Sequence, residues 1–151
     1  MHRPGFALLA LLALIAAPRA ASGQPAAPPE ACTVAFVVDG DTFNCRDGTT
    51  VRLLLVDAPE GGRFGDAARR ALATLVPVDS TVRIETDREI RDGQGRLQGY
   101  VRLDDGRLVN DVLIRKGFAF FEPNPPNHRH AGRLRAAEDL ARSEGLGVWS
   151  E

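Results

Sequence analysis

One arginine stands inside an apolar segment, where an unpaired charge would be costly. Residues 51–56 are almost wholly apolar, which predicts a strand buried on both faces, and Arg52 would point to the same side as Leu54 and Val56. Since an unpaired buried charge costs on the order of several kcal/mol, the guanidinium must face an anion. That anion is either a carboxylate of the protein or a phosphate of a substrate, and the sequence leaves both open.

Carboxylates flank this segment on both sides. Asp57 and Glu60 follow its end, and Pro59 fixes a bend that can turn both side chains toward one cavity. Asp41 follows an Asp-Gly pair, which favours a hairpin turn, on the preceding segment. Two aspartates on adjacent strands would form an all-oxygen site. Without Cys or His, such a site favours Ca²⁺ or Mg²⁺ over transition metals.

Other polar residues give weaker signals. Arg96 follows the Gly-rich residues 92–95, and an arginine in a loop is normally solvated. His128 and His130 are expected at the surface of the loop before the last helix. We do not expect a zinc site, because only these histidines could add ligands to the two cysteines of the chain.

The two cysteines are expected to form a disulfide. Cys32 begins one predicted strand and Cys45 ends the next, so a hairpin turning at residues 39–40 would bring them nearly opposite each other. An oxidising compartment would favour this bridge. Two small, buried, unpaired side chains are the alternative.

Periodicity predicts a small barrel that positions these residues. Strand signals occur at residues 33–38 (with Val34, Phe36 and Val38 on one face), 41–45, 51–56, 82–84 and 97–103, and helical signals at 65–75, 108–116 and 133–143. This pattern predicts an α+β fold, a five-stranded OB-fold β-barrel with about three α-helices. A chain of 151 residues with 44% hydrophobic and 26% charged positions fits one globular domain and excludes a disordered protein.

The N-terminal residues are typical of an export signal. A short positive start precedes the apolar residues 6–17, a run too short to span a bilayer at roughly 20 residues per helix. We therefore expect a signal peptide at 1–23, a flexible linker at 24–31 and an exported domain at 32–151, periplasmic or secreted and free of the membrane after cleavage. The mature net charge would be about −3, so any polyanion site must be a local arrangement of charge.

Several motifs, taken in order and spacing, together resemble the staphylococcal nuclease (thermonuclease) family. They are Asp39-Gly40-Asp41-Thr42, the segment from Arg52 to Glu60, Gly95-Arg96, Val109-Asn110 through Gly117-Phe118-Ala119, and Val148-Trp149-Ser150. The resemblance covers roughly residues 33–150. It implies an OB-fold barrel with three helices.

The resemblance also implies site residues and an activity. It implies Ca²⁺ ligands (Asp41, Asp57 and the backbone carbonyl of Ala58), a general base (Glu60) and phosphate-binding arginines (Arg52 and Arg96). The expected protein is a monomeric, exported, Ca²⁺-dependent nuclease. It would hydrolyse DNA and RNA with little sequence preference and leave 3′-phosphates.

Some positions depart from the family pattern. Gly93 and Gln94 stand where the family usually has a basic and an aromatic residue, and Gln94 cannot stack on a base. The loop after Glu60 is short, and Phe120 and Phe121 cannot be matched to the family's tyrosines. These departures concern nucleotide affinity and base preference rather than phosphate chemistry.

The sequence also admits two alternatives to a nuclease. One is a catalytically silent OB-fold module that binds single-stranded nucleic acid. The other is a domain that only binds protein or is purely structural, which leaves Arg52 unexplained.

Overall fold

A computed structural model describes residues 30–150 of the chain. The elements are β1 (Ala31–Val37), β2 (Thr42–Cys45), β3 (Thr50–Leu53), β4 (Val56–Asp57), α1 (Gly62–Leu75), β5 (Thr81–Glu85), β6 (Leu97–Arg102), α2 (Val109–Arg115), β7 (Phe120–Phe121), α3 (Ala131–Ser143) and a 3₁₀ turn (Gly147–Trp149). The expected signal peptide and the linker up to residue 29 lie outside the described residues, and β1 begins at Ala31. No helix among residues 30–150 is long and apolar enough to cross a membrane.

Five strands close into a barrel in the order β1-β2-β3-β6-β5. All neighbours are antiparallel except β3 and β6, which run parallel. The α1 helix is the connection that lets the chain leave β4 and return as β5, and α2 and α3 pack on each other beside the barrel. The predicted five-stranded OB-type barrel with three α-helices is confirmed.

A disulfide joins Cys32 of β1 to Cys45 of β2, as predicted. The strand register places Val34 opposite Cys45, so the cysteines are offset along β1 with their Cα atoms 5.6 Å apart. Both side chains belong to the hydrophobic core. The bridge therefore closes the first hairpin from inside the barrel.

The predicted alternation of β1 is wrong at its second half. A β-bulge lies between Val34 and Phe36, and it breaks the alternation of faces along the strand. Val34 is fully buried, whereas Phe36 is 52% exposed and Val38 is 46% exposed. An aromatic ring is thereby turned out of the core into solvent.

The predicted single strand over residues 51–56 is also wrong. The strand β3 ends at Leu53, and Leu54 and Leu55 form a turn in which Leu55 has φ 61°. Val56 then starts β4, which pairs with β7 outside the barrel. All of these residues are buried, so their apolar run does not distinguish a buried turn from a buried strand. Because of this turn, Arg52, Leu54 and Val56 do not lie on one face of a continuous strand, and that part of the prediction is wrong as well.

A buried asparagine of α2 holds the turn in place. The Nδ2 atom of Asn110 donates to the Leu54 carbonyl (2.9 Å) and the Gly99 carbonyl (3.3 Å), and its Oδ1 atom accepts the Val101 N–H (2.9 Å). Its side chain has no exposed surface. Asn110 therefore connects the turn after β3 to β6 and to α2.

Replacing Asn110 by alanine is expected to destabilise the domain by about 2–4 kcal/mol, because it leaves the buried carbonyls of Leu54 and Gly99 and the Val101 N–H without these hydrogen bonds. The measurement is the free energy of unfolding in urea. The matched control is Gln94→Ala, which removes an exposed amide and is expected to change stability by less than about 0.5 kcal/mol. Equal effects of the two substitutions would show that Asn110 does not have this role.

An acidic residue connects α2 to α3. Asp111 accepts hydrogen bonds from Arg115 of its own helix (3.2 Å) and from Arg133 of α3 (3.0 Å). Burial raises the pKa of Asp111, but the hydrogen bonds and charges of the two arginines outweigh burial and hold this pKa below its ordinary value. The carboxylate therefore contributes stability only while it is ionised.

This contribution is expected to depend on pH. Because the pKa of Asp111 is lowered by folding, its stabilisation is present above the unfolded value of about 3.9 and is lost as pH falls through the folded value. Asp111→Asn should therefore lower the free energy of unfolding at pH 7, and its difference from wild type should narrow steadily as pH falls below about 3.9. Asp104→Asn, at an exposed turn position, is the control. A stability gap between wild type and Asp111→Asn that does not narrow as pH is lowered from 7 to about 2 would contradict the ionic explanation.

Candidate active site

One cleft collects all six residues that the sequence singled out for chemistry. It has a volume of about 620 Å³, and its lining includes Asp41, Arg52, Asp57, Ala58, Glu60 and Arg96. The turn between β1 and β2, the strands β3 and β4, the loop before α1 and the loop before β6 each contribute. These segments are distant in sequence and converge only through the barrel.

Asp41 is the most buried carboxylate of the cleft, with 7% of its surface exposed. Its Oδ2 atom accepts the Ala58 N–H (2.9 Å), and its Oδ1 atom accepts the Thr42 hydroxyl (2.9 Å) and lies 3.2 Å from Arg52 Nε. Burial raises the pKa of Asp41, against the opposing effects of the Arg52 charge and the Ala58 N–H. A positive charge near this carboxylate would therefore favour its ionised form.

Arg52 meets an internal carboxylate and also faces the cleft. Its Nη1 atom donates to the backbone carbonyls of Leu53 (2.7 Å) and Val56 (2.6 Å), which lie on either side of the turn. Its Nη2 atom is 3.9 Å from Glu122. Asp41 and the two carbonyls thus fix the guanidinium through its Nε and Nη1 atoms. The Nη2 atom donates to neither carbonyl. Of the two anions that the sequence left open, the internal carboxylate is present, and Arg52 also lines the cleft in which a phosphate would bind.

Arg96 is held by a neighbour in its own loop. Asp92 accepts the Arg96 Nε–H (2.7 Å) and backbone N–H (3.0 Å), together with the Gln94 N–H (2.9 Å). Although burial raises the pKa of Asp92, these bonds and the Arg96 charge keep that pKa below its ordinary value. Arg96 is therefore more restrained than a typical loop arginine, with 29% of its side chain exposed. Sequence reasoning did not assign Asp92 this role.

The loop that carries Glu60 rests on a glycine of α1. A Cβ atom added at Gly65 would lie 2.7 Å from the Pro59 carbonyl oxygen and 3.2 Å from the Glu60 carbonyl carbon, closer than side chains normally approach. Glu60 itself is exposed in the cleft. At Gly40, an added Cβ would meet those of Ala58 (2.5 Å) and Ala68 (2.6 Å). Close backbone packing against α1 thus sets the position of both acidic segments.

A second, smaller cleft adjoins the first. It has a volume of about 340 Å³ and shares Arg52 and Arg96 with the larger one. Carboxylates of Glu89, Asp92 and Glu122 and a hydrogen-bonded amide pair, Gln98 and Asn124 (2.7 Å), line its walls. The two arginines therefore stand where an acidic pocket meets the larger cleft.

Within residues 30–150, neither cleft is lined by an aromatic ring. Gln94 lines the larger cleft, and Gly93 lines the smaller one, in place of the basic and aromatic residues usual in the resembled family. Phe120 and Phe121 form β7, where they contact Trp149 and Arg135 respectively. Base stacking inside these clefts is therefore not available from the described residues.

The oxygen atoms in the larger cleft suit a hard cation. Asp41 and Asp57 supply carboxylates, and the hydrogen bond from Ala58 N–H holds the Asp41 carboxylate against the Asp57–Ala58 segment. Within the described chain, no three Asp, Glu, His or Cys side chains form a metal-binding group by themselves. A Ca²⁺ ion takes six to eight oxygens, so water or substrate would have to complete its shell here.

The histidines lie away from both clefts. His128 is exposed, as expected. His130 is not, because its ring packs edge-on against Tyr100 with centroids 4.6 Å apart, and its Nε2 atom lies 3.2 Å from Glu85. The expectation of a surface position is therefore wrong for His130.

Sequence reasoning missed two charged residues of the larger cleft. Asp66 and Arg69 lie on α1, where they line the wall opposite the barrel. A spacing of three residues puts them on one face of the helix, one turn apart, and this spacing was the available signal.

Comparison with known proteins gives a consistent set of relatives. The family model described as "Staphylococcal nuclease homologue" matches residues 50–151. The "Thermonuclease" of Staphylococcus intermedius is 33% identical over 130 residues, which is 80% of this chain and 76% of that protein. From Bacillus subtilis (strain 168), "Endonuclease YncB" is 33% identical over 135 residues and "Endonuclease YhcR" is 32% identical over 133 residues.

Coverage of the relatives differs widely. The alignments span 79% of this chain and 61% of YncB, but 76% of this chain and only 11% of YhcR. The chain therefore corresponds to less than two thirds of these two endonucleases. The matched region of the family model takes in β3 to the last turn, and the alignment with the Staphylococcus intermedius protein covers four fifths of the chain. The chain belongs to the staphylococcal nuclease family.

Proposed function

We propose that this protein hydrolyses phosphodiester bonds of nucleic acids in the larger cleft. The observation that carries the proposal is the convergence of Asp41, Arg52, Asp57, Glu60 and Arg96 on that cleft. Paired arginines suit the equatorial oxygens of a phosphate, and a free carboxylate beside them suits a general base. Membership of the family, with relatives named thermonuclease and endonuclease, supports the same activity.

Glu60 is the proposed base. Its carboxylate accepts a proton from the water that attacks phosphorus, while the bond from phosphorus to the 5′ oxygen of the leaving strand breaks and that oxygen takes up a proton from solvent. The products are a 3′-phosphate and a 5′-hydroxyl. Because Glu60 is exposed in the cleft and has no fixed partner in the described chain, its oxygens are accessible to water.

Arg52 and Arg96 orient the phosphate and stabilise the charge that develops on it. Each guanidinium is already fixed through its Nε atom, by Asp41 and Asp92 respectively. Such restraint reduces the reorganisation needed when a phosphate binds, which is the source of much electrostatic catalysis. Charge-assisted hydrogen bonds from the remaining guanidinium N–H groups would then contact the phosphate oxygens.

Asp41, Asp57 and the Ala58 carbonyl are the proposed ligands of Ca²⁺. When bound, the ion would supply Lewis-acid stabilisation of the phosphate charge. The chain's own part is to hold these oxygens beside the arginines, as the Ala58–Asp41 hydrogen bond does. We further propose that DNA and RNA are both substrates with little sequence preference, since the proposed contacts of the two arginines and the cation are to phosphate, which carries no sequence information.

Export and a monomeric state complete the proposal. The Cys32–Cys45 disulfide suits an oxidising compartment, which agrees with a signal peptide at the N-terminus and a periplasmic or secreted protein free of the membrane. All residues of the larger cleft come from one chain, so no second copy is needed to complete it.

The competing candidate is a catalytically silent OB-fold module that binds single-stranded nucleic acid. A binding module would need the arginines but would have no use for Glu60 beside the buried carboxylate of Asp41 and the exposed carboxylate of Asp57. Such a module would bind oligonucleotides without cleaving them, with or without Ca²⁺.

Replacing Glu60 by glutamine is expected to lower kcat by about 10²- to 10⁴-fold, because it removes the base without changing side-chain size. The assay follows cleavage of single-stranded DNA and RNA by the purified domain with Ca²⁺ and with excess chelator, and mass spectrometry identifies the phosphate end. Wild-type activity should require Ca²⁺, and chelation should leave the circular dichroism spectrum of the fold unchanged.

The matched control for this substitution is Glu144→Gln, an exposed position at the end of α3 that should retain full activity. Near-wild-type turnover by Glu60→Gln would remove the base role. Full activity in chelator would remove the metal role of Asp41 and Asp57. Binding without cleavage by wild type would support the silent module.

Replacing Gly65 by alanine is expected to lower kcat by about ten- to a hundredfold, because the added Cβ would press on the Pro59 carbonyl at 2.7 Å and displace the segment that carries Glu60. Gly132→Ala is the matched helical control, since its added Cβ has no neighbour within 4 Å. This control should retain activity and gain up to about 1 kcal/mol of stability. Equal kinetics of the two alanine variants would show that the Gly65 contact does not position Glu60.

A further inference from the structure

A shallow groove of about 190 Å³ runs along α1, next to the larger cleft. It is lined by Phe36 and Val37 of β1, by Arg69, Arg70 and Ala73 of α1, and by Val76 and Val78 of the segment that follows. We refer to these residues together as the α1 groove.

The α1 groove presents apolar surface that the described chain leaves uncovered. Phe36 is 52% exposed and Val78 is 58% exposed, although most large apolar side chains of residues 30–150 are buried in the core. The β-bulge before Phe36 is what turns this ring outward. Since a bulge is a specific backbone feature that re-aims a side chain, the exposure of Phe36 is built into the barrel.

The groove also carries two arginines that have no ion-pair partner among residues 30–150, although Asp66 lies one turn away on α1. The side chains of Arg69 and Arg70 make no hydrogen bond or ion pair with any residue from 30 to 150, and no acidic residue lines the groove. Arginines elsewhere are commonly paired, as Arg46 is with Asp79 and Arg107 with Asp105. On a chain with a formal net charge of −1, this cluster is a local site for an anion.

The α1 groove is continuous with the larger cleft. Arg69 lines both of them, and Val37 of the groove is followed directly by Val38 of the cleft. A chain-like substrate that leaves the arginine pair of the cleft on this side therefore passes Arg69 before it reaches Arg70 and Phe36.

We propose that the α1 groove binds the strand of a nucleic acid substrate outside the cleft, with an unpaired base stacked on Phe36 and phosphates contacted by Arg69 and Arg70. The proposal rests on the proposed function of the cleft. An exposed aromatic ring beside cations is the arrangement that binds single strands without reading their sequence. Because neither cleft is lined by an aromatic ring, Phe36 supplies the stacking contact that they lack.

Binding in the α1 groove would favour one class of substrate, single-stranded nucleic acids. Stacking on Phe36 requires a base that is unpaired, so single strands longer than a dinucleotide gain a contact that duplexes and dinucleotides do not. The preference should appear in KM and binding rather than in kcat, since the groove lies outside the proposed reacting groups.

The first test compares KM for an adenine-rich single strand of about 12 nucleotides, a length within the range that OB folds cover, with KM for a dinucleotide. In Phe36→Ser the ratio of the two KM values (long over short) should rise by about five- to fiftyfold relative to wild type, and Phe36→Trp should restore it. Arg70→Gln should raise the ratio severalfold and reduce the slope of log KM against log salt for the long strand by about 0.7, the loss of one phosphate contact.

Matched controls are Leu140→Ser, an apolar side chain 44% exposed on α3, and Arg83→Gln, an exposed arginine on β5 without a partner in the described chain. Both should keep the wild-type KM ratio. An unchanged ratio in Phe36→Ser and Arg70→Gln, or an equal rise of KM for both substrates, would overturn the proposal.

A second measurement separates this proposal from the proposed function. Fluorescence anisotropy of the labelled long strand measures binding without cleavage when every protein tested carries Glu60→Gln. Ca²⁺ is present throughout. Weaker binding on adding Phe36→Ser would support the groove even if wild type cleaved nothing. Binding that is absent, or that is indifferent to Phe36 and Arg70, would overturn it. So would analytical ultracentrifugation showing a dimer that Phe36→Ser dissociates without a change in strand binding.

Discussion

The contact between Asp41, Arg52 and Ala58 is the constraint on which the rest of the site depends. The Asp41 carboxylate joins the turn after β1, the strand β3 and the start of the Glu60 loop by accepting the Ala58 N–H and facing Arg52 Nε. A carboxylate buried this far is stable only because those donors compensate for its lost hydration. The same contact places one acidic group and one basic group of the cleft in fixed relation before any ligand arrives.

This contact is possible only because the chain turns after β3. If residues 51–56 continued as one strand, Asp57 and Ala58 would lie far along the sheet from Asp41. The turn at Leu54 and Leu55 brings them back. It needs support because a leucine with φ 61° is strained, and Asn110 and Arg52 give that support through the carbonyls on either side. Arg52 of the cleft and Asn110 of the core thus stabilise the same turn.

Local patterns in the sequence were sufficient for the barrel and for the first hairpin, because alternation, turn dipeptides and cysteine spacing all act over short distances. They were also sufficient to select Asp41, Asp57 and Glu60 as neighbours. They could not reveal the turn at Leu55, since a buried turn and a buried strand share the same apolar composition. The bulge that exposes Phe36 is a register effect between β1 and β2, which no property of β1 alone encodes.

Contacts between distant segments were likewise invisible in the sequence. Asn110 is one of three polar residues in α2, nothing in the sequence distinguishes it as a core residue, and its partners lie up to 56 positions away. Arg69 reads as part of a solvated helical face until the barrel places that face beside the cleft. Asp92 differs, because its partner Arg96 is only four residues away, but a loop aspartate carries no sign of which donor it will accept.

The distribution of charge around the cleft indicates in which direction a bound nucleic acid strand would extend. The smaller cleft is walled by Glu89, Asp92 and Glu122, so a second phosphate placed there would meet carboxylates at close range. On the opposite side the larger cleft also carries Asp39 and Asp66, but Arg69 lines the cleft there, and no acidic residue lines the α1 groove beyond it. A polyanionic strand whose reacting phosphate lies at Arg52 and Arg96 would therefore extend toward α1, whereas the smaller cleft suits an uncharged part of a nucleotide with hydrogen-bonding edges. A protein with a slightly negative overall charge can in this way bind a polyanion, because the sign of the field is set within about a Debye length of each phosphate rather than by the total charge.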